Sequence, residues 1–142
     1  MPKGAKELID ALNEDLSYEL AAVIQYMWHH VMGSGVESPA IIDRFRLVAM
    51  DEMRHAEMVA ERIDLLGGVP TTELAAIQVG GDLKKMIRDD IAGEELAIRL
   101  YKGHIKLADG LDDPTSRRML EDILADEERH LHDWETILEK KS

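Results

Sequence analysis

A chain of 142 residues is one ordinary domain, long enough to bury a real core. Its formal net charge of −12, from 29 acidic against 17 basic residues, argues against nucleic acid and anionic membrane as partners and suits a protein that attracts cations. It has no cysteine, which excludes disulfides, thiolate metal sites and cysteine catalysis, and no apolar run long enough to span a bilayer, so the expected location is the cytoplasm.

Helical periodicity runs through nearly the whole chain, and β-branched alternation is almost absent. The first helix is expected from about Ala5 to Met32, where Gly33-Ser34-Gly35 stops it. Ser38-Pro39 opens the second, with serine at the cap and proline at the first helical position, and Gly67-Gly68-Val69-Pro70 ends it after about Leu66. An irregular segment follows, about 67–81. Asp82 caps the third helix, which runs to about Ala108 before Asp109-Gly110 breaks it. Asp113-Pro114 starts the fourth, which reaches about Glu139. Short connections inside each pair make two antiparallel hairpins, about 5–66 and 82–139. The middle segment can stretch roughly 50 Å. A 28-residue helix is about 42 Å long. The segment can therefore cross the full length of a bundle. The expected architecture is all-α: one four-helix bundle over 1–142, two hairpins joined by a long crossover.

The chain also repeats itself. At an offset of 75 residues, twelve identities fall in 67 comparable positions without a gap. Chance gives roughly four. The matches include Asp15 with Asp90, Glu19 with Glu94, Tyr26 with Tyr101 and His29 with His104. Asp51, Glu52, Arg54 and His55 meet Asp126, Glu127, Arg129 and His130. Glu19, Glu52 and Glu127 sit in the middle of apolar stripes, such as Leu8-Leu12-Glu19-Tyr26 and Phe45-Val48-Glu52-His55-Val59. The repeat places Glu94, and not Glu95, in the same role. Glu19 lies about 21 Å before the first turn and Glu52 about 20 Å after it, so folding the hairpin brings them level. Glu94 and Glu127 meet by the same arithmetic.

A buried carboxylate is costly unless something compensates it. Glu-x-x-His puts two ligands on adjacent turns of one helix face. Two such motifs and two single glutamates give four carboxylates and two imidazoles: Glu19, Glu52, His55, Glu94, Glu127 and His130. Two divalent cations neutralise that set with both imidazoles neutral, and the donors suit iron or manganese. His29 and His104 lie about 15 Å along their helices from the glutamates, too far to be ligands, and read as buried hydrogen-bonding residues.

The segments Glu19-Leu-Ala-Ala-Val-Ile-Gln-Tyr26, Asp51-Glu-Met-Arg-His55-Ala, Leu65-Leu-Gly-Gly-Val-Pro70 and Asp126-Glu-Glu-Arg-His130 with Trp134 resemble the bacterioferritins. The resemblance implies a ferritin-like fold and a di-iron ferroxidase centre on the six residues above, with Tyr26 beside it. It implies oxidation of Fe(II) by O₂ or H₂O₂ and storage of Fe(III) in a homo-oligomeric shell. It further implies that Met53 is a haem ligand at a two-fold dimer interface, facing outward beside Leu20, Val23 and Met27. Leu47 stands where the family often has an iron-binding histidine. The sequence stops shortly after the fourth helix, where the family usually has a fifth, so a twelve-subunit shell or a smaller oligomer stands beside the twenty-four-subunit shell as an expectation. A rubrerythrin-like peroxidase, a manganese catalase and a non-catalytic iron-binding bundle remain alternatives; rubrerythrins have a carboxylate where this chain has Ala97.

Overall fold

The computed structural model describes residues 4–138. They form four helices and, among the described residues, no strand: α1 (Ala5–Met32), α2 (Ser38–Leu65), α3 (Leu83–Gly110) and α4 (Pro114–Leu138). α1 packs along α2 and α3 along α4. Contacts of α1 with α3 and of α2 with α4 join the two hairpins. The bundle is the expected one; the chain beyond Leu138, including Glu139, lies outside the described residues.

The helix ends follow local chemistry, with two corrections. Asp82 caps α3 as expected, its carboxylate accepting from the Lys85 amide at 2.9 Å. Ser38 does not cap α2: it is already helical, the cap position is Glu37, and no side chain bonds there. Pro39 in the first turn and the turn bond from Ser38 N–H to Gly35 O start the helix instead. Gly110 does not break α3 but ends it. The reversal falls on Asp112, at φ 56, the left-handed conformation an aspartate tolerates better than most side chains.

The crossover, 66–82, has no regular structure, yet its backbone is held. Asn13 donates to Val69 O at 3.1 Å and accepts from Thr71 N–H at 2.8 Å. Ala75 N–H reaches Ser17 O at 3.1 Å, and Gln78 N–H reaches Gln25 Oε1 at 2.9 Å. These anchors climb α1 from Asn13 to Gln25, so the segment travels along the bundle as a crossover must.

Two apolar layers fill the interior. One gathers Leu12, Leu16, Val59, Ile63, Leu120 and Ile123; the other gathers Phe45, Val48, Met86, Ile87 and Trp134 around Tyr26. Full burial of a side chain of this size is worth about 1.5–3 kcal/mol. Between the layers lies a polar stratum in which Glu19, Glu52, His55, Glu94, Glu127 and His130 are all buried.

Candidate metal centre

Each helix brings its mid-stripe residues to the same level. Glu19 comes from α1, Glu52 and His55 from α2, Glu94 from α3, and Glu127 and His130 from α4. Glu95 is exposed, as its repeat register requires. Two donor sets emerge, each with ligand atoms within 4.8 Å of one another. One is Glu19, Glu52, His55 and Glu127; the other is Glu52, Glu94, Glu127 and His130. Glu52 and Glu127 belong to both, so they stand between the two positions. His55 Nδ1 is 3.1 Å from Glu52 Oε1 and 3.6 Å from both Glu19 Oε2 and Glu127 Oε1. His130 Nδ1 is 3.1 Å from Glu127 Oε1 and 3.3 Å from Glu94 Oε2.

The residues fit a pair of divalent cations. Glu19 Oε2 and Glu127 Oε2 are buried with no hydrogen-bond partner, leaving lone pairs that a cation can take. Oxygen donors with two imidazoles are the ligands of iron and manganese.

Without a cation the cluster holds protons. Burial, then repulsion from Glu19 and Glu94, pushes the Glu52 carboxyl well above its ordinary value. Burial and the neighbouring glutamates do the same to Glu127. Burial also raises Glu94, against the hydrogen bonds it receives from His130 and Tyr26. Burial alone disfavours imidazolium at His55, but bonding and attraction from Glu19, Glu127 and Asp126 outweigh it and lift the ring to about 9. Glu127 and Glu94 similarly overcome burial and lift His130 to about 10.

A ring of supporting groups surrounds the six; the sequence placed Tyr26 beside the centre and read His29 and His104 as hydrogen-bonding residues, but gave no role to Asp15, Asp51, Asp90, Tyr101 or Asp126. His55 Nε2 is 2.7 Å from Asp126 Oδ2, and His130 Nε2 is 2.8 Å from Asp51 Oδ2. The outer nitrogen of each ring is thus fixed by the other hairpin, which turns Nδ1 inward. Tyr26 donates its hydroxyl to Glu94 Oε2 at 2.7 Å, and Tyr101 donates to Glu19 Oε1 at 2.6 Å. His29 Nδ1 meets Asp90 Oδ2 at 2.9 Å; His104 Nδ1 meets Asp15 Oδ1 at 2.8 Å. Every one of these groups is an identity of the 75-residue repeat, so the signal was present. What breaks the symmetry is Trp134, whose indole N–H bonds the Tyr26 hydroxyl at 3.0 Å, and Gln25, which donates to Asp90 at 2.8 Å. Their repeat partners are Val59 and Leu100, so no repeat marks them.

Met53 faces away from the centre, 63% exposed. It lines an apolar groove with Leu16, Leu20, Ala56, Ala60 and Leu74. Leu20 is a neighbour as expected, but Val23 and Met27 do not line the groove, which instead reaches the crossover. Leu47 is exposed on α2.

A four-helix bundle with two overlapping carboxylate–histidine donor sets at mid-height has the architecture of the di-metal carboxylate proteins. The chain belongs to the bacterioferritin and ferritin-like di-iron family: the Ferritin-like domain family matches residues 9–142. It is 36% identical to a bacterioferritin of Mycobacterium leprae over 137 residues, 96% of this chain and 86% of that one. It is also 36% identical to a bacterioferritin of Desulfovibrio desulfuricans over 92% of this chain and 74% of that one. Among solved structures, a ferritin-like, diiron-carboxylate protein of Bacillus anthracis superposes with a TM-score of 0.94 at 33% identity, covering 97% of this chain and 99% of that one. The D. desulfuricans bacterioferritin, whose structure describes a diiron site, gives 0.90 at 32% identity, covering 95% and 80%. No helix among the described residues is long and apolar enough to cross a membrane.

Proposed function

We propose that this chain, a single ferritin-like domain over residues 1–142, is an iron-storage ferroxidase. Glu19, Glu52, His55, Glu94, Glu127 and His130 bind two iron ions, and Fe(II) is oxidised to Fe(III) by O₂ or H₂O₂. The observation that carries this reading is the pair of donor sets sharing Glu52 and Glu127. Four carboxylates balance two divalent cations, which is the compensation their burial demands. Bound iron supplies the redox chemistry, each Fe(II) giving one electron.

The chain's own residues do the rest. Glu52 and Glu127 separate and link the two positions. Asp51 and Asp126 hold the imidazoles with Nδ1 facing inward. The Tyr101 and Tyr26 hydroxyls orient Glu19 and Glu94. Tyr26 also stacks on Trp134, with ring centroids 6.1 Å apart, which fixes its phenol beside Glu94. Ala22, Gly93 and Ala97 leave space over the glutamates in a cavity of about 60 Å³ between α1 and α3. Ala97 supplies no seventh ligand there, which favours this reading over a rubrerythrin-like peroxidase.

By likeness to the bacterioferritins, the working form is a cytoplasmic homo-oligomer, a dimer at least, closing into a shell of twelve or twenty-four copies. The exposed Met53 groove suits haem b held between two copies. Stopped-flow mixing of the wild type with two Fe(II) per chain in air should show a fast oxidation phase. Glu94→Ala should lose that phase, because it removes a carboxylate from one position only. A mutant with the wild-type phase would sink the role of Glu94.

A further inference from the structure

The two aspartate–histidine pairs beside the centre are alike in sequence but unlike in their outer ends. Asp15 and Asp90 are both buried, and both line the cavity over the glutamates. His29, on Asp90, is wholly enclosed, and its Nε2 has no partner. It faces the Phe45 ring, 5.3 Å away between centroids. That pair ends blind. His104, on Asp15, reaches the surface: its side chain is 14% exposed, and Nε2 lies 3.4 Å from Glu14 Oε1, which is half exposed. Asp89, the repeat counterpart of Glu14, turns to Lys85 instead. The line Asp15–His104–Glu14 therefore joins the cavity to solvent on one side only.

Resting on the ferroxidase reading, such a line has a use. Oxidation and hydrolysis sheds protons: two Fe(II), one O₂ and four H₂O give two FeOOH, one H₂O₂ and four H⁺. Protons left among buried carboxylates oppose retention of the metal, since each competes for a ligand.

We propose that Asp15 and His104 form a proton relay out of the metal centre, with Glu14 as its outer acceptor. Asp15 takes a proton at its cavity-facing carboxylate and passes it to His104 Nδ1. The imidazolium releases its Nε2 proton to Glu14 or water, and rotation of the partly exposed ring resets it. The charges facing the relay suit the task. Burial lifts Asp15 to about 6 against the pull of His104, with Glu19 and Glu14 adding to the rise. Burial disfavours imidazolium at His104, but Asp15 and Glu14 outweigh it and raise the ring above its ordinary value. Asp15 therefore takes up a proton more readily than a free carboxyl, and His104 is a stronger base than a free imidazole.

The test uses Co(II), which enters carboxylate–imidazole sites and displaces protons without oxidation. Stopped-flow absorbance follows Co(II) uptake while a pH indicator follows proton release, in wild type, His104→Gln, Asp15→Asn and His29→Gln, each checked for folding by circular dichroism. Wild type and His29→Gln should release protons together with uptake. His104→Gln should bind the same amount of Co(II) but release protons about tenfold or more late, and added imidazole should restore the rate. Asp15→Asn should show the same lag and lower the His104 pKa by NMR. Synchronous release in folded His104→Gln and Asp15→Asn overturns the relay. No Co(II) uptake by wild type overturns the metal-centre reading, and the relay with it.

Discussion

His55 on α2 is gripped by Asp126 on α4 through a 2.7 Å hydrogen bond to Nε2, so one hairpin aims the other's candidate ligand. Arg54 and Arg129 bond the same carboxylate, at 3.0 and 3.1 Å. Burial raises Asp126, but bonds from His55, Arg54 and Arg129 outweigh it and hold the carboxyl at about 2. It is an anion at neutral pH.

Asp126→Ala should therefore weaken metal binding without removing a ligand. Loss of such an outer partner costs about 10- to 100-fold in affinity. Isothermal titration with Co(II) should show two bound ions and a weaker Kd. An unchanged Kd would mean that packing alone orients His55.

Metal should stabilise the fold, and more so at high pH. The signs follow from the shifts. His55 and His130 titrate above their unfolded values, so their contribution is complete below about pH 6.5 and is lost as pH rises through about 9 to 10. Glu52 and Glu127 are raised too, so the metal-free protein again loses stability as pH climbs above their unfolded value. Cations replace those protons. At free metal a hundred times Kd the gain is about 2.7 kcal/mol. Melting curves with and without Co(II) should separate further at pH 8 than at pH 6. Equal separation would show that the metal-free centre is not proton-loaded.

The start of α4 should be acid-sensitive. Asp113 accepts from Ser116 N–H at 2.9 Å, from its hydroxyl at 2.6 Å and from Arg62 of α2 at 3.0 Å. Burial raises this carboxyl, but the Ser116 and Arg62 bonds outweigh it and leave it below the usual value. Its contribution is present above the unfolded pKa and is lost as pH falls through the folded one. Asp113→Ala should cost about 0.5–2 kcal/mol at pH 7 as a lost cap. Urea melts should show that difference shrinking at pH 3; a constant difference would point to packing instead.

Met53 tests the dimer. Haemin titration of the wild type should reach one haem per two chains, with a spectrum of thioether ligation. Met53→Leu should abolish that ligation and leave Fe(II) oxidation intact. If the wild type dimerises through this groove yet takes no haem, Met53 serves only in packing.

The four helices were legible in the sequence because apolar spacing and turn residues are local, and Ala5–Met32 matches its expected bounds. The six central residues were legible because an internal repeat wrote them twice at one depth. What tertiary structure alone decided is which hairpin supports which. A 75-residue offset marks Asp51, Asp126, Tyr101 and Asp15 as special, but it cannot say that each reaches across the bundle, to His130, His55, Glu19 and His104. The repeat did not mark Gln25 and Trp134, since their bonds to Asp90 and Tyr26 arise only where α3 and α4 pack on α1. Nor could equal sequence reveal unequal surroundings. His29 and His104 are the same residue at the same repeat position, yet one is sealed by Phe45 and the other reaches solvent beside Glu14. Burial is set by neighbours distant in the chain, and that is what folding adds.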